Sequence, residues 1–272
     1  MADPYVLDRN VIESVRLDAQ HLLWTMHQGH VLHPDIPIRD DMKIAELGTG
    51  TAVWLLDLSR SVPPSVQLHG FDISDKQFPS RSLWPANVTL SLLDSKGRLP
   101  PSLVGQYDVV HIRMWMAILH TTEVDEFIGE VKKMLRPKGY IYWEEADIAN
   151  TRTSLGPEKT FQQEIQALCK IVGMNQDWVR TLPTYFQRQN LKIIEAKQID
   201  FKGYTSQLCK NTHLLAFEQM IQGIKRKMMS GQVETGRSVA KCEDSLTKLL
   251  SRFNDGLVYN WVPVSVLGQL QS

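Results

Sequence analysis

The chain has 272 residues, 43% hydrophobic and 22% charged, enough for one large globular domain with a cap. Thirty basic residues balance thirty acidic ones, so no global field recruits nucleic acid or an anionic membrane, and a small, largely apolar molecule is the expected partner. Cys169, Cys209 and Cys242 stand far apart without metal-ligand spacing, which suits reduced thiols in a cytoplasmic protein; the first residues lack a signal-peptide pattern, and no apolar run reaches the roughly 18 residues that span a bilayer.

From residue 8 to about 28, Val11, Val15, Ala19, Leu22, Leu23 and Met26 recur at helical spacing, predicting an amphipathic helix that Gly29 ends. His21, His27, His30 and His33 invite a metal reading, but Gly29 and Pro34 break the helix that would align them, and no metal is expected. After a Pro-containing connection, short apolar runs alternate with helical patterns. Strands are expected at 43–47, 67–72, 88–93, 107–112 and from 140 to 143, with helices at 51–60 and 124–135, the latter stopped by Arg136-Pro137-Lys138-Gly139. Helices at 159–172, 213–229 and 239–253 follow, with strands at 191–201 and 258–266. The pattern predicts an α/β fold: a doubly wound, Rossmann-like, seven-stranded, mostly parallel sheet with helices on both faces and a helical lid. Residues 1–40 form an N-terminal segment, 41–150 the sheet core, and 151–272 the lid insertions with the last two strands.

The expected site begins at Glu46-Leu47-Gly48-Thr49-Gly50-Thr51, a strand followed by a Gly-x-Gly turn and a helix, the start of a nucleotide-binding crevice. Val53 occupies the third glycine position of a dinucleotide fingerprint, and Glu46 would repel a pyrophosphate. S-adenosylmethionine (SAM) carries no phosphate but an ammonium and a sulfonium, so the acidic loop suits it. Asp72, about 24 residues past Gly48, ends the next strand, where one carboxylate can accept from both ribose hydroxyls. Asp94 and Ser95 end the third strand, where a carboxylate can accept from the adenine amino group, with Leu93 or Ile73 against the ring. The alternative for Asp94 is a turn cap. His111 and Arg113 share a face of the fourth strand, whose end borders the reacting methyl. His111 is the first candidate base and Glu144 or Glu145 the second. Adjacent strand residues point to opposite faces, so one of the two glutamates faces the pocket.

The motifs Glu-x-Gly-x-Gly, Gly70-Phe71-Asp72-Ile73-Ser74, Tyr107 to Arg113, and Leu135-Arg136-Pro137-Lys138-Gly139-Tyr140 together resemble the class I SAM-dependent methyltransferases. The helix Glu13 to His21, His111-x-Arg113 and Tyr142-Trp143-Glu144-Glu145 resemble the fungal secondary-metabolism group that includes the LaeA-like proteins and the gliotoxin N-methyltransferase type. The likeness covers about residues 5 to 147; Lys138 and Ala52 depart from it where that group usually has glycine. It implies that Tyr5 and Arg16 close over the methionine end of the cofactor, Arg16 through a forked contact to its carboxylate. It also implies methylation of a small secondary metabolite at O, N or S, by a monomer or homodimer. The alternatives are a SAM-binding catalyst of rearrangement or cyclisation, and a LaeA-like regulatory binding protein.

Overall fold

The computed structural model describes residues 7–154, 156–174, 176–229 and 236–271. Seven strands form one sheet in the order β3-β2-β1-β4-β5-β7-β6. β1 (Lys43–Leu47), β2 (Gln67–Asp72), β3 (Val88–Leu92), β4 (Tyr107–Arg113) and β5 (Leu135–Thr153) run parallel, while β7 (Tyr259–Leu270) is antiparallel to both β5 and β6 (Leu191–Gln198). β1 and β4 are central and covered on both faces, which is why burial runs almost unbroken along them, polar residues included.

The two faces bury separate clusters. Ile44, Leu68, Val109 and Tyr142 pack with α2 (Val53–Leu58). Ala45, Val110, Ile112, Ile141 and Trp143 pack with α3 (Val124–Met134) and α5 (Leu182–Arg188). This alternation sorts every later side chain by parity: Glu46, His111, Arg113 and Glu144 fall on the α2 face, and Glu145 on the α3 face. A third cluster joins α1 (Val11–Gln28), α4 (Pro157–Ile171), α6 (Tyr204–Met229) and α7 (Gly236–Leu250) to Ala146 and Ile148 near the end of β5 and to Tyr259 and Trp261 of β7. Of its helices, α4, α6 and α7 follow residue 150 and α1 precedes the sheet. Among the described residues no helix is long and apolar enough to cross a membrane, and the three cysteines are free and buried.

Several expectations need correction. The apolar stripe of α1 does not face the core: Val11 and Val15 are 75% and 60% exposed, and Leu22 and Met26 are also exposed. Glu13, Arg16, Gln20 and His21 are buried instead, with Leu23 and Trp24. The reversal is tolerated because the inward polar groups bind one another, Arg16 Nε and Nη2 donating to the Glu13 carboxylate at 2.8–3.1 Å. The turn expected at 136–139 lies inside β5, which starts at Leu135 and carries Lys138 at φ 64°. α6 begins at Tyr204, nine residues before the periodicity made it visible, and the short α5 was not anticipated.

Candidate functional site

β1 runs into the Gly48–Thr51 loop, which meets the carboxyl end of β2 and the turn after β4, with β3 beyond β2. Gly48 and Gly50 adopt φ 70° and 53°, which glycine reaches without steric cost. The Gly48 and Thr49 amides donate to Phe71 O at 2.8 and 3.0 Å. The Gly50 amide donates to Asp72 Oδ2 at 2.9 Å, and the Ser74 amide to Asp72 Oδ1 at 3.1 Å. Each Asp72 oxygen retains a lone pair for a ligand. Burial pushes the Asp72 carboxyl up, against the pull of those two amides. The Trp115 ring packs against Gly48, its Nε1 donating to Leu47 O at 3.1 Å. A Cβ on Gly48 would sit 2.8 Å from that Nε1. Gly48→Ala is therefore expected to cost about 2–3 kcal/mol, from backbone strain plus the displaced indole bond. Urea denaturation checks this, and an unchanged midpoint would contradict the packing described.

Beneath the loop lies a row of buried polar groups on the α2 face. Glu46 pairs in register with His111, and His111 with Tyr142, across β1, β4 and β5. Thr49 Oγ1 donates to Glu46 Oε2 at 2.5 Å. His111 Nδ1 stands 3.3 Å from Glu46 Oε1 without hydrogen-bond alignment, and His111 Nε2 bonds Glu144 Oε2 at 3.2 Å. The Trp54 indole stacks on the imidazole at 3.8 Å. The Tyr142 hydroxyl donates to Glu144 Oε1 at 2.9 Å, and Arg113 Nη1 is 3.7 Å from Glu144 Oε2. Burial alone would raise the Glu144 pKa, but the His111 bond, the Arg113 and His111 charges and the Tyr142 hydroxyl together hold it below the usual carboxylate value.

Arg113 also reaches His21 on α1, at 3.3–3.4 Å from Nδ1. A guanidinium only donates, so Nδ1 accepts, and Nε2–H donates to Asp57 Oδ2 of α2 at 2.9 Å. Burial first, then the Arg113 charge, keeps the His21 pKa low, consistent with this neutral tautomer. One imidazole thus stitches α1 to α2 and to the end of β4. Thr51 Oγ1 adds a bond from the loop to Asp18 of α1 at 2.8 Å. The sequence marked the Glu13–His21 segment, and His21 only as a possible metal ligand, but not Asp57 or Trp54. The approach of His21 to Arg113 and Asp57 spans three elements, and no local spacing announces it.

All three candidate catalytic groups are buried. His111 is fully buried between Trp54 and the Glu46 and Glu144 carboxylates. Glu144 is occupied by His111 and Tyr142. Glu145 points to the other face, where it accepts from Trp115 N at 2.7 Å, Trp143 Nε1 at 3.1 Å and Ala146 N at 2.9 Å. It fixes the turn after β4, in which Met114 takes φ 60°. Leu93, Asp94 and Ser95 border a shallow crevice at the end of β3, where Ser95 Oγ is buried without a partner. Ile73 is exposed nearby. Asp94 Oδ1 accepts from Lys96 N at 3.1 Å, the turn-capping geometry named as its alternative. Arg16 is neutralised by Glu13. Tyr5 lies outside the described residues. Among the described residues no group of three His, Cys, Asp or Glu is placed to hold a metal; His33 instead bonds Glu195 at 2.9 Å, and His27 packs on Phe201.

Residues 44–139 match a methyltransferase domain family. The chain is 32% identical over 151 residues to methyltransferase grgD of a Penicillium species, covering 53% of this chain and 52% of that protein. It is 33% identical over 143 residues to N-methyltransferase tcpN of Claviceps purpurea, covering 52% and 51%. The chain thus spans about half the length of the curated relatives it matches. Among solved structures, phosphoethanolamine N-methyltransferase 2 of Haemonchus contortus in complex with S-adenosyl-L-methionine aligns with a TM-score of 0.52 at 11% identity, over 93% of this chain and 52% of that one. These matches bear out the resemblance carried by the motifs and the Rossmann-like fold.

Proposed function

We propose that the chain is a SAM-dependent methyltransferase acting at O, N or S of a small, largely apolar secondary metabolite in the cytoplasm. The observation that carries the reading is the Gly48–Gly50 turn, bound to Asp72 and lined by acids. Glu46 stands near the end of β1, Asp72 ends β2 and Asp94 follows β3, and no lysine or arginine stands in the loop. That donor set fits a ligand with an ammonium and a sulfonium and no phosphate. The spare lone pairs of Asp72 suit the ribose hydroxyls, and the partnerless Ser95 Oγ beside Asp94 suits the adenine edge. Arg16 has Nη1 free of partners among the described residues and is the proposed contact for the methionine carboxylate, and Tyr5, outside the described residues, is proposed as a second contact at that end of the cofactor.

Bound SAM supplies a methyl already activated by its sulfonium. The protein then has to hold the acceptor in line and exclude water, which can supply up to roughly 7–11 kcal/mol through proximity and orientation. His111, Glu144 and Glu145 serve this by position: the first two brace the loop and β4 from below, and Glu145 sets the turn at Met114–Met116. None is assigned proton transfer. Incubating the protein with methyl-labelled SAM and candidate apolar metabolites is expected to place label in the organic extract, with stoichiometric S-adenosylhomocysteine. Conversion of a substrate with no SAM consumed would contradict methyl transfer and favour the cyclisation alternative.

A further inference from the structure

A cleft of about 460 Å³ opens between the end of β5, the last turns of α4 and the segment that follows it. Its volume lies within the range of small-molecule sites. The wall is mixed. Cys169 and Met174 belong to or pack on the apolar helical layer, while Asn150, Lys170 and Arg180 bring polar groups to the mouth. Lys170 has no ion-pair partner among the described residues. Arg180 is held loosely, its Nε 3.7 Å from Asp147 Oδ2 and its Nη1 3.4 Å from Asn150 Oδ1. Asp147 does not depend on it: this fully buried carboxylate accepts from Asn150 Nδ2 at 2.8 and 3.0 Å and from Asn150 N at 3.2 Å. Most Arg180 donors therefore point to the cleft or to solvent. Asp177 also lines the mouth with Lys170 and Arg180, and Asp147 is buried behind Arg180.

One wall of the cleft touches the turn that follows β4. Gln176, buried in its wall, places Nε2 3.6 Å from Met116 Sδ, in the turn that follows β4. In open α/β sheets the ligand lies outside that strand end. We propose that this cleft receives the methyl acceptor and that the acceptor is an organic anion, its carboxylate held by Arg180 and Lys170 and its apolar body directed along Met174 to Met116. The proposal rests on the methyltransferase reading and narrows its substrate class from apolar to apolar with an acidic end. Forked arginine contacts favour a carboxylate over the isosteric amide.

Phenylacetate and phenylacetamide are suitable probes, with the full chain carrying ¹³C-methyl methionine and the Met174 resonance assigned through Met174→Leu. Phenylacetate is expected to shift the Met174 methyl and to bind about tenfold more tightly than the amide, a preference lost in the Lys170→Ala/Arg180→Ala double variant. Both residues are exposed, so the variant should fold. Equal binding of the two probes, an unmoved Met174 signal, or a preference that survives in the double variant would each overturn the assignment. SAM titration of the same two proteins separates the readings: wild type that takes the anion but not SAM refutes the cofactor, not the cleft.

Discussion

Replacing His111 with alanine is expected to destabilise the chain by about 3–5 kcal/mol, the sum of an aromatic-sized cavity and a buried carboxylate left without its hydrogen-bond partner. The imidazole separates Glu46 from Glu144 and fills the space under Trp54. Without it two carboxylates share a water-poor cavity and the indole loses its stacking partner. The melting temperature should fall by roughly 10 °C. The loss should extend to the cofactor, because Glu46 anchors Thr49 of the binding loop. In whatever fraction stays folded, turnover at saturating SAM should largely survive. Melting curves with steady-state rates at several SAM concentrations test this; a stable variant whose saturated rate drops about 10²-fold or more would restore His111 as a base.

The second large effect belongs to Glu145. Alanine there would leave the Trp115 amide, the Trp143 indole N–H and the Ala146 amide without an acceptor in the interior, at a cost of about 3–5 kcal/mol. Glutamine would keep most of the bonds but set its NH₂ against one donor, costing about 1–3 kcal/mol. The pH dependence distinguishes the group. Burial raises the Glu145 pKa from its usual 4.5 to about 7. A raised folded-state pKa means that the folded chain holds a proton the unfolded chain releases. The associated stability is present below pH 4.5 and is lost as pH rises through about 7, amounting to about 3 kcal/mol. Wild type should therefore lose stability between pH 5 and 8 through this group, and Glu145→Gln should not show that component. Identical pH slopes for the two proteins would contradict the assignment.

Much of the sheet was legible because short segments rich in apolar residues, such as residues 44–47 and 109–112, are bounded by turns and alternate with helical patterns. Asp72 was legible from its place at a strand end after a Gly-x-Gly turn. The opposed faces of Glu144 and Glu145 followed from strand alternation alone. The face of α1 was not legible. Its apolar residues have helical spacing, but spacing cannot say which side meets the protein, and here Glu13, Arg16 and His21 find partners inside. The seclusion of His111 was hidden for the same reason: Trp54, Glu46 and Glu144 come from three other elements, and only the sheet order brings them to one side chain. α5 was too short, at seven residues, for periodicity to register.

The most direct test is calorimetric titration of the purified chain with SAM, alongside Asp72→Ala. Wild type is expected to bind one equivalent saturably. The variant should bind about 10- to 100-fold more weakly, since it loses a charged acceptor worth about 1.5–3 kcal/mol to the ribose hydroxyls and the loop. No heat of binding in folded wild type, or equal affinity in a folded Asp72→Ala protein, would contradict the assignment of the Gly48–Gly50 crevice as a SAM site.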